Sequence, residues 1–249
     1  MFETHHNPDA FTLLVSPYHP DTLRDPSSGP DATHSDRLRH ALTWNVFKTL
    51  EQIAPSAWMR PLVARATGLP EGYASAPQIT SVTCWSNLHP APNALLRRGR
   101  RLNVPFGAIV DTDDTVVTFL TPSRIEMLDT VLSETAEGGL LDVAEATAYL
   151  AGTRSAYVSV VLPTEVEEEV WAPRVQQRAE RVRRLLSSSE RSPENLRGVG
   201  ATTWGALHEL LSEIAHSRFI SRTEQRFAIA AVNWMSERLA VETSAKRLA

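Results

Sequence analysis

Residues 156–162 read Ala-Tyr-Val-Ser-Val-Val-Leu, a nearly continuous apolar run closed by Pro163. A strand with one face in water alternates polar and apolar side chains. A run that is apolar at both parities belongs instead to a strand covered on both faces. That requirement points to an α/β chain in which helices cover each side of a sheet.

The neighbouring segments supply the rest of such a sheet. Gln78 to Trp85 alternates Ile79, Val82 and Cys84 with Thr and Ser, between Pro77 and Pro90. Leu102 to Thr112 carries the run Ala108-Ile109-Val110, and Thr115 to Thr121 is again β-rich. The short polar link Thr112-Asp113-Asp114-Thr115 between them predicts a tight hairpin. Upstream, Ser35 reads as an N-cap for a helix whose face is Leu38, Ala41, Leu42, Val46, Phe47, Leu50 and Ile53. Ala54-Pro55 ends it, because the residue before proline avoids helical geometry. A second short helix through Trp58, Leu62 and Val63 stops near Gly68. After the hairpin, helical spacing returns at Ile125, Leu128, Val131 and Leu132, breaks at Gly138-Gly139, and resumes from Leu141 to Leu150. A helical crossover between the third and fourth strands makes that pair parallel and the connection right-handed. The expectation is a mixed four-stranded sheet, with helices on both faces.

The flanks differ in character. Residues 1–34 carry Pro8, Pro17, Pro20, Pro26 and Pro30 among Asp, Ser and His, and read as an extended arm whose histidines are ordinary polar residues. Residues 35–163 form the α/β core, and residues 164–249 read as a helical extension. Its first helix has Glu165 and Glu167 to Glu169 at the start. Arg174, Arg178, Arg181, Arg183 and Arg184 lie further on, a polarity that matches the helix dipole.

Composition narrows the chemistry. Cys84 is the only cysteine, so neither a disulfide framework nor a CxxC metal knuckle is available, and it reads as a small core residue. No segment has the length and apolarity of a membrane span or the pattern of a secretory leader, which makes the cytoplasm the expected compartment. Net charge is −4, so the surface as a whole does not attract polyanions. Of the 25 basic residues all but Lys48 and Lys246 are arginine, leaving two candidates for any chemistry that needs a lysine.

The order helix, three strands, helix, strand resembles the αβββαβ core of the restriction-endonuclease-like, or PD-(D/E)XK, superfamily. The segments Leu42-Thr43-Trp44-Asn45-Val46-Phe47-Lys48-Thr49-Leu50-Glu51, Cys84-Trp85, Ala108-Ile109-Val110-Asp111-Thr112 and Thr203-Trp204 are similar to a bacterial branch of it. The resemblance covers residues 35 to 240 and implies a nuclease scaffold. In such enzymes one acid on the second strand and one on the third hold Mg²⁺, and a lysine two residues beyond helps to activate water. Here those positions fall on Gly107, Leu120 and Pro122, none of which performs that chemistry. The expectation is therefore a degenerate member, with no catalytic residue and no cofactor.

Three readings follow. The first is a non-cleaving protein that binds DNA or RNA, with Arg97, Arg98, Arg100 and Arg101 before the hairpin and Arg178 and Arg181 on the later helix as phosphate contacts. The resemblance implies a bacterial defence or DNA-processing system as its setting. The second is a structural subunit that docks on a protein partner in a larger complex; the arm and the six tryptophans favour it, although Trp44, Trp204 and Trp234 have core spacing. The third is a Mg²⁺-dependent nuclease with a relocated acidic site built from Glu51, Asp111 and Glu126. In that reading Asp111, Asp113 and Asp114 are the weak metal candidates, and their simpler role is turn formation. None of the three involves a membrane.

Overall fold

The computed structural model describes residues 34–68, 80–84, 87–88, 104–105, 107–133, 138–164, 166–187 and 194–246. The proposed arm therefore lies outside the described residues apart from His34, as do Arg97, Arg98, Arg100 and Arg101.

The first helix, α1, spans His34–Glu51, so Ser35 lies within it rather than at its cap. A single 3₁₀ turn at Pro55–Ala57 leads into α2, Met59–Thr67, which ends at Gly68 with φ 69°. This left-handed conformation carries almost no penalty without a Cβ, and it stops the helix cleanly.

The strands β1 (Thr80–Cys84), β4 (Ala108–Thr112), β5 (Thr115–Leu120), β6 (Ser155–Leu162) and β7 (Leu196–Thr203) form one sheet in the order β1-β4-β5-β6-β7. β1 with β4 and β4 with β5 are antiparallel; β5 with β6 and β6 with β7 are parallel. The expected hairpin forms as read. Thr112 Oγ1 donates to the Thr115 carbonyl at 2.8 Å and accepts from the Thr115 N–H at 2.9 Å, closing the loop over Asp113 and Asp114. The segment expected as one strand from Leu102 divides: β3 (Val104–Pro105) pairs with β2 (Asn87–Leu88) in a separate two-stranded sheet, and β4 starts only after Gly107.

Two helices, α3 (Ile125–Leu132) and α4 (Leu140–Ala151), link β5 to β6, as their spacing implied. β6 is buried along nearly its whole length. Tyr157 and Val161 point into one core with α1 and α2; Ala156, Val158, Val160 and Leu162 point into the other with α4.

The main correction concerns residues 164–249. They are not only helical. α5 (Glu168–Ser187) crosses over the α4 side and returns the chain as β7, a fifth strand rather than the end of a four-stranded sheet. α6 (Trp204–Ala215) and α7 (Arg222–Lys246) then pack on the opposite face with α1 and α2. Gly200 of β7 has a packing reason: a Cβ there would lie 2.6 Å from the Thr67 Cα, so α2 rests backbone to backbone on the strand. Trp44, Trp204 and Trp234 are all buried, as their spacing suggested. No helix among the described residues is long and apolar enough to cross a membrane.

Candidate nucleic-acid interface

The positions where the resemblance puts a metal site are the first test. Gly107 is buried at the mouth of the hairpin, and its N–H donates to the Phe119 carbonyl at 2.8 Å. A Cβ at Gly107 would come within 2.1 Å of Thr121 Oγ1, so Thr121 fills the space an acid would need. Arg39 of α1 donates to the Thr121 carbonyl at 3.0 Å, closing the same corner. Leu120 and Pro122 are buried.

The relocated acidic site does not assemble. Glu51 accepts from Lys48 Nζ at 2.8 Å through one oxygen and from the Val82 N–H at 2.8 Å through the other. Lys48 Nζ also donates to the Val82 carbonyl at 2.6 Å. The pair thus caps both backbone groups of one residue on edge strand β1. Asp111 is ion-paired with Arg154, whose guanidinium also donates to the Thr112 carbonyl at 2.7 Å and ties the end of α4 to the hairpin. Asp114 Oδ1 lies 3.2 Å from Thr112 Oγ1, Asp113 is exposed in the turn, and Glu126 is exposed on α3. Among the described residues no three His, Cys, Asp or Glu side chains converge on a point where they would hold a metal ion. Burial pushes the Cys84 thiol up to about 12, despite nearby Lys48, so it stays protonated and poorly nucleophilic at neutral pH.

The remaining candidates, Arg178 and Arg181, do come together with other residues. α5 seats on the sheet through Trp171, Val175, Ala179, Val182 and Leu186, all buried at helical spacing. Displaced around the helix from that stripe run Arg174, Arg178 and Arg181, at i, i+4 and i+7. They line a concavity of about 420 Å³ with Gln177 and Arg184, and its far wall is Asp129 and Leu132 of α3 with Ser133 just beyond its end. The Arg174 guanidinium stacks over the Trp171 ring, 4.7 Å from its centroid. Arg178 is almost buried, with 7% of its surface exposed, whereas Arg174, Arg181 and Arg184 face solvent.

This geometry revises the dipole explanation of the arginines. A helix dipole acts on charges in the last turn, and in α5 only Arg184 lies there. Arg174, Arg178 and Arg181 sit further back on one face, so the dipole does not account for their alignment. Among the described residues the groove is lined by four arginines and one carboxylate, Asp129. From Arg174 to Arg184 the helix rises about 15 Å, the axial length of roughly four nucleotides of one DNA strand. Sequence reasoning identified the arginine stripe but missed the wall opposite. Nothing local in Asp129, Leu132 or Ser133 signals that α3 will stand beside α5, some forty residues away in the chain.

Comparison of the chain with protein-family models, with curated proteins and with solved structures finds no match in any of the three.

Proposed function

We propose that the chain is a nuclease-like protein that binds nucleic acid without cleaving it, with the groove between α3 and α5 holding consecutive phosphates. The observation that carries this reading is the alignment of Arg174, Arg178, Arg181 and Arg184 along one concave wall. Arginine suits the role because its planar fork donates two parallel hydrogen bonds to a phosphate. The net charge of −4 does not argue against it, since screening confines electrostatic attraction to about 10 Å at moderate salt and the local charge decides. The nuclease-like part of the proposal is supported by the order α1, β1, the β4–β5 hairpin, α4 and parallel β6. The non-cleaving part is supported by Gly107, Leu120 and Pro122 at the expected catalytic positions. The same resemblance sets the protein in a bacterial defence or DNA-processing assembly.

The test is fluorescence anisotropy with labelled single-stranded DNA, duplex DNA and RNA across a salt series. Binding at low salt should weaken with log-log slopes of about −0.9 per phosphate contacted on a duplex, or about −0.7 on a single strand. Changing Arg174, Arg181 and Arg184, three exposed positions, together to glutamine should lower the slope by about 2–3, with circular dichroism to verify the fold. Absence of binding at low salt, or a variant that binds like the parent, would remove the proposal. Cleavage with Mg²⁺ or Mn²⁺ that Asp111→Ala abolishes would restore the metal-dependent nuclease reading instead.

A second reading, a subunit that docks on protein, is favoured by a separate observation: Phe219 has 94% of its surface exposed.

A further inference from the structure

The turn joining α6 to α7 presents that phenylalanine on a well-braced backbone. The Phe219 N–H donates to Ser217 Oγ at 3.2 Å, and Gln225 Nε2 donates to the Ser217 carbonyl at 2.8 Å. Ser221 and Glu224 cap the start of α7 reciprocally, the Ser221 N–H reaching Glu224 Oε2 at 2.7 Å and the Glu224 N–H reaching Ser221 Oγ at 3.2 Å. Glu224 Oε1 also accepts from the Ala54 N–H at 2.7 Å, which fastens the turn to the end of α1. Ile220, the next residue, is buried in the core. A turn held this firmly has little conformational entropy left to lose, so its exposed ring is preorganised for contact.

The surroundings of Phe219 are cationic and apolar. Arg218 adjoins it, and Arg222, Arg226 and Ile229 follow on one face of α7 at i, i+4 and i+7; all four are exposed. None of the three arginines has an ion-pair partner among the described residues. An exposed aromatic set among arginines is the composition of an interface hot spot. An aliphatic side chain within the stripe gives a phosphate backbone nothing to bind, which favours a protein partner.

The same chain carries a surface of complementary character. α3 stands proud of the sheet, with Leu128 its one buried residue. It exposes Ile125 and Met127, 38% and 37% accessible, beside the carboxylates of Glu126 and Asp129. We propose that the Phe219 turn and the arginine face of α7 dock on α3 of a second copy of the chain. Arg222 and Arg226 then face Glu126 and Asp129 across the middle of the contact, and Phe219 and Ile229 lie against Ile125 and Met127 on the flanks of α3. A contact between two different patches is either reciprocated in a two-fold dimer or repeated head to tail.

Light scattering coupled to size exclusion, run over a range of loading concentrations, tests this. The parent chain should show a mass above the monomer that rises with concentration. Phe219→Asp, Arg222→Glu with Arg226→Glu, and Glu126→Arg with Asp129→Arg should each raise the dissociation constant at least about 30-fold. Each of these substitutions falls on an exposed side chain, and unchanged circular dichroism will verify the fold. Combining the two charge reversals in one chain should restore association. A parent that stays monomeric at every concentration overturns the proposal. So does an oligomer that persists in Phe219→Asp, or a combined variant that associates no better than either reversal alone.

Discussion

Gly107 and Thr121 meet so closely that the two positions have to be considered together. Under the nuclease resemblance Gly107 stands where a catalytic acid is expected, which invites the idea that Asp would supply one. The fold forbids that exchange, because any Cβ at 107 collides with Thr121 Oγ1 and also lies 2.8 Å from Thr121 Cβ. Gly107→Asp should therefore destabilise the protein by about 1–3 kcal/mol through overpacking and give no cleavage with Mg²⁺. Thermal denaturation and a plasmid-nicking assay check the two halves, and a stable variant that cleaves DNA would show that the scaffold still holds a catalytic geometry. Glu51 and Lys48 teach a related lesson. Their residue types suit a metal site and its lysine, yet both are engaged in capping the Val82 backbone of an edge strand. An edge strand leaves backbone groups without a partner, and a charged pair from the neighbouring helix is one way to satisfy them. Sequence spacing could place Glu51 on α1 but not reveal β1 as the edge it would meet.

β7 shows what local patterning misses. Leu196-Arg197-Gly198-Val199-Gly200-Ala201-Thr202-Thr203 has two glycines and little β-branched content before its end, so strand propensity is weak. What makes it a strand is tertiary: β6 offers its ladder, and α2 approaches Gly200 closely enough to exclude any side chain. β6 and the β4–β5 hairpin were legible because their signals are local, a doubly apolar run in one case and a two-residue polar turn in the other. The cap of α7 is equally local in sequence, Ser221 and Glu224 at the spacing of a capping box, but its tie to Ala54 is not. The hydrogen bonds from Ser221 and from the Ala54 N–H hold the Glu224 carboxyl below its ordinary pKa. A depressed folded-state value means that the stabilisation is fully present above the unfolded carboxylate value. It is lost as pH falls from about 5 through the folded value. In Glu224→Gln this part of the acid dependence should disappear. A plot of melting temperature against pH should be flatter for the variant below pH 5, and a variant whose acid limb parallels the parent's would show that the tie contributes nothing to stability.

The sheet binds the described residues on either side of Pro163 into one body, with a core on each face. On the α1 side Leu42, Phe47, Leu50 and Leu62 share a cluster with Trp204, Leu207, Leu210, Leu211 and Trp234. On the other side Val143, Val158 and Val160 share one with Trp171, Val175, Val182 and Val199. A boundary at Pro163 is natural from sequence, since the apolar strand ends there and helical spacing begins, but it cuts through both clusters. The candidate groove depends on the same union, for its arginines come from α5 on one side of that boundary and its opposite wall from α3 on the other. That is why the arginine stripe was visible in the sequence and the groove was not. Removing residues 164–249 would uncover β6 along a whole edge and strip the cover from each core. Each large apolar side chain so exposed costs roughly 1.5–3 kcal/mol, and half a dozen of them match the roughly 5–15 kcal/mol by which a domain is stable. A chain ending at Pro163 should therefore lack a cooperative thermal transition and near-ultraviolet dichroism, and should bind a hydrophobic dye, whereas residues 34–246 together should melt in one step. A truncated chain that melts cooperatively with native-like near-ultraviolet dichroism would show that β7 and its helices are an appendage, and the groove would then rest on a movable wall.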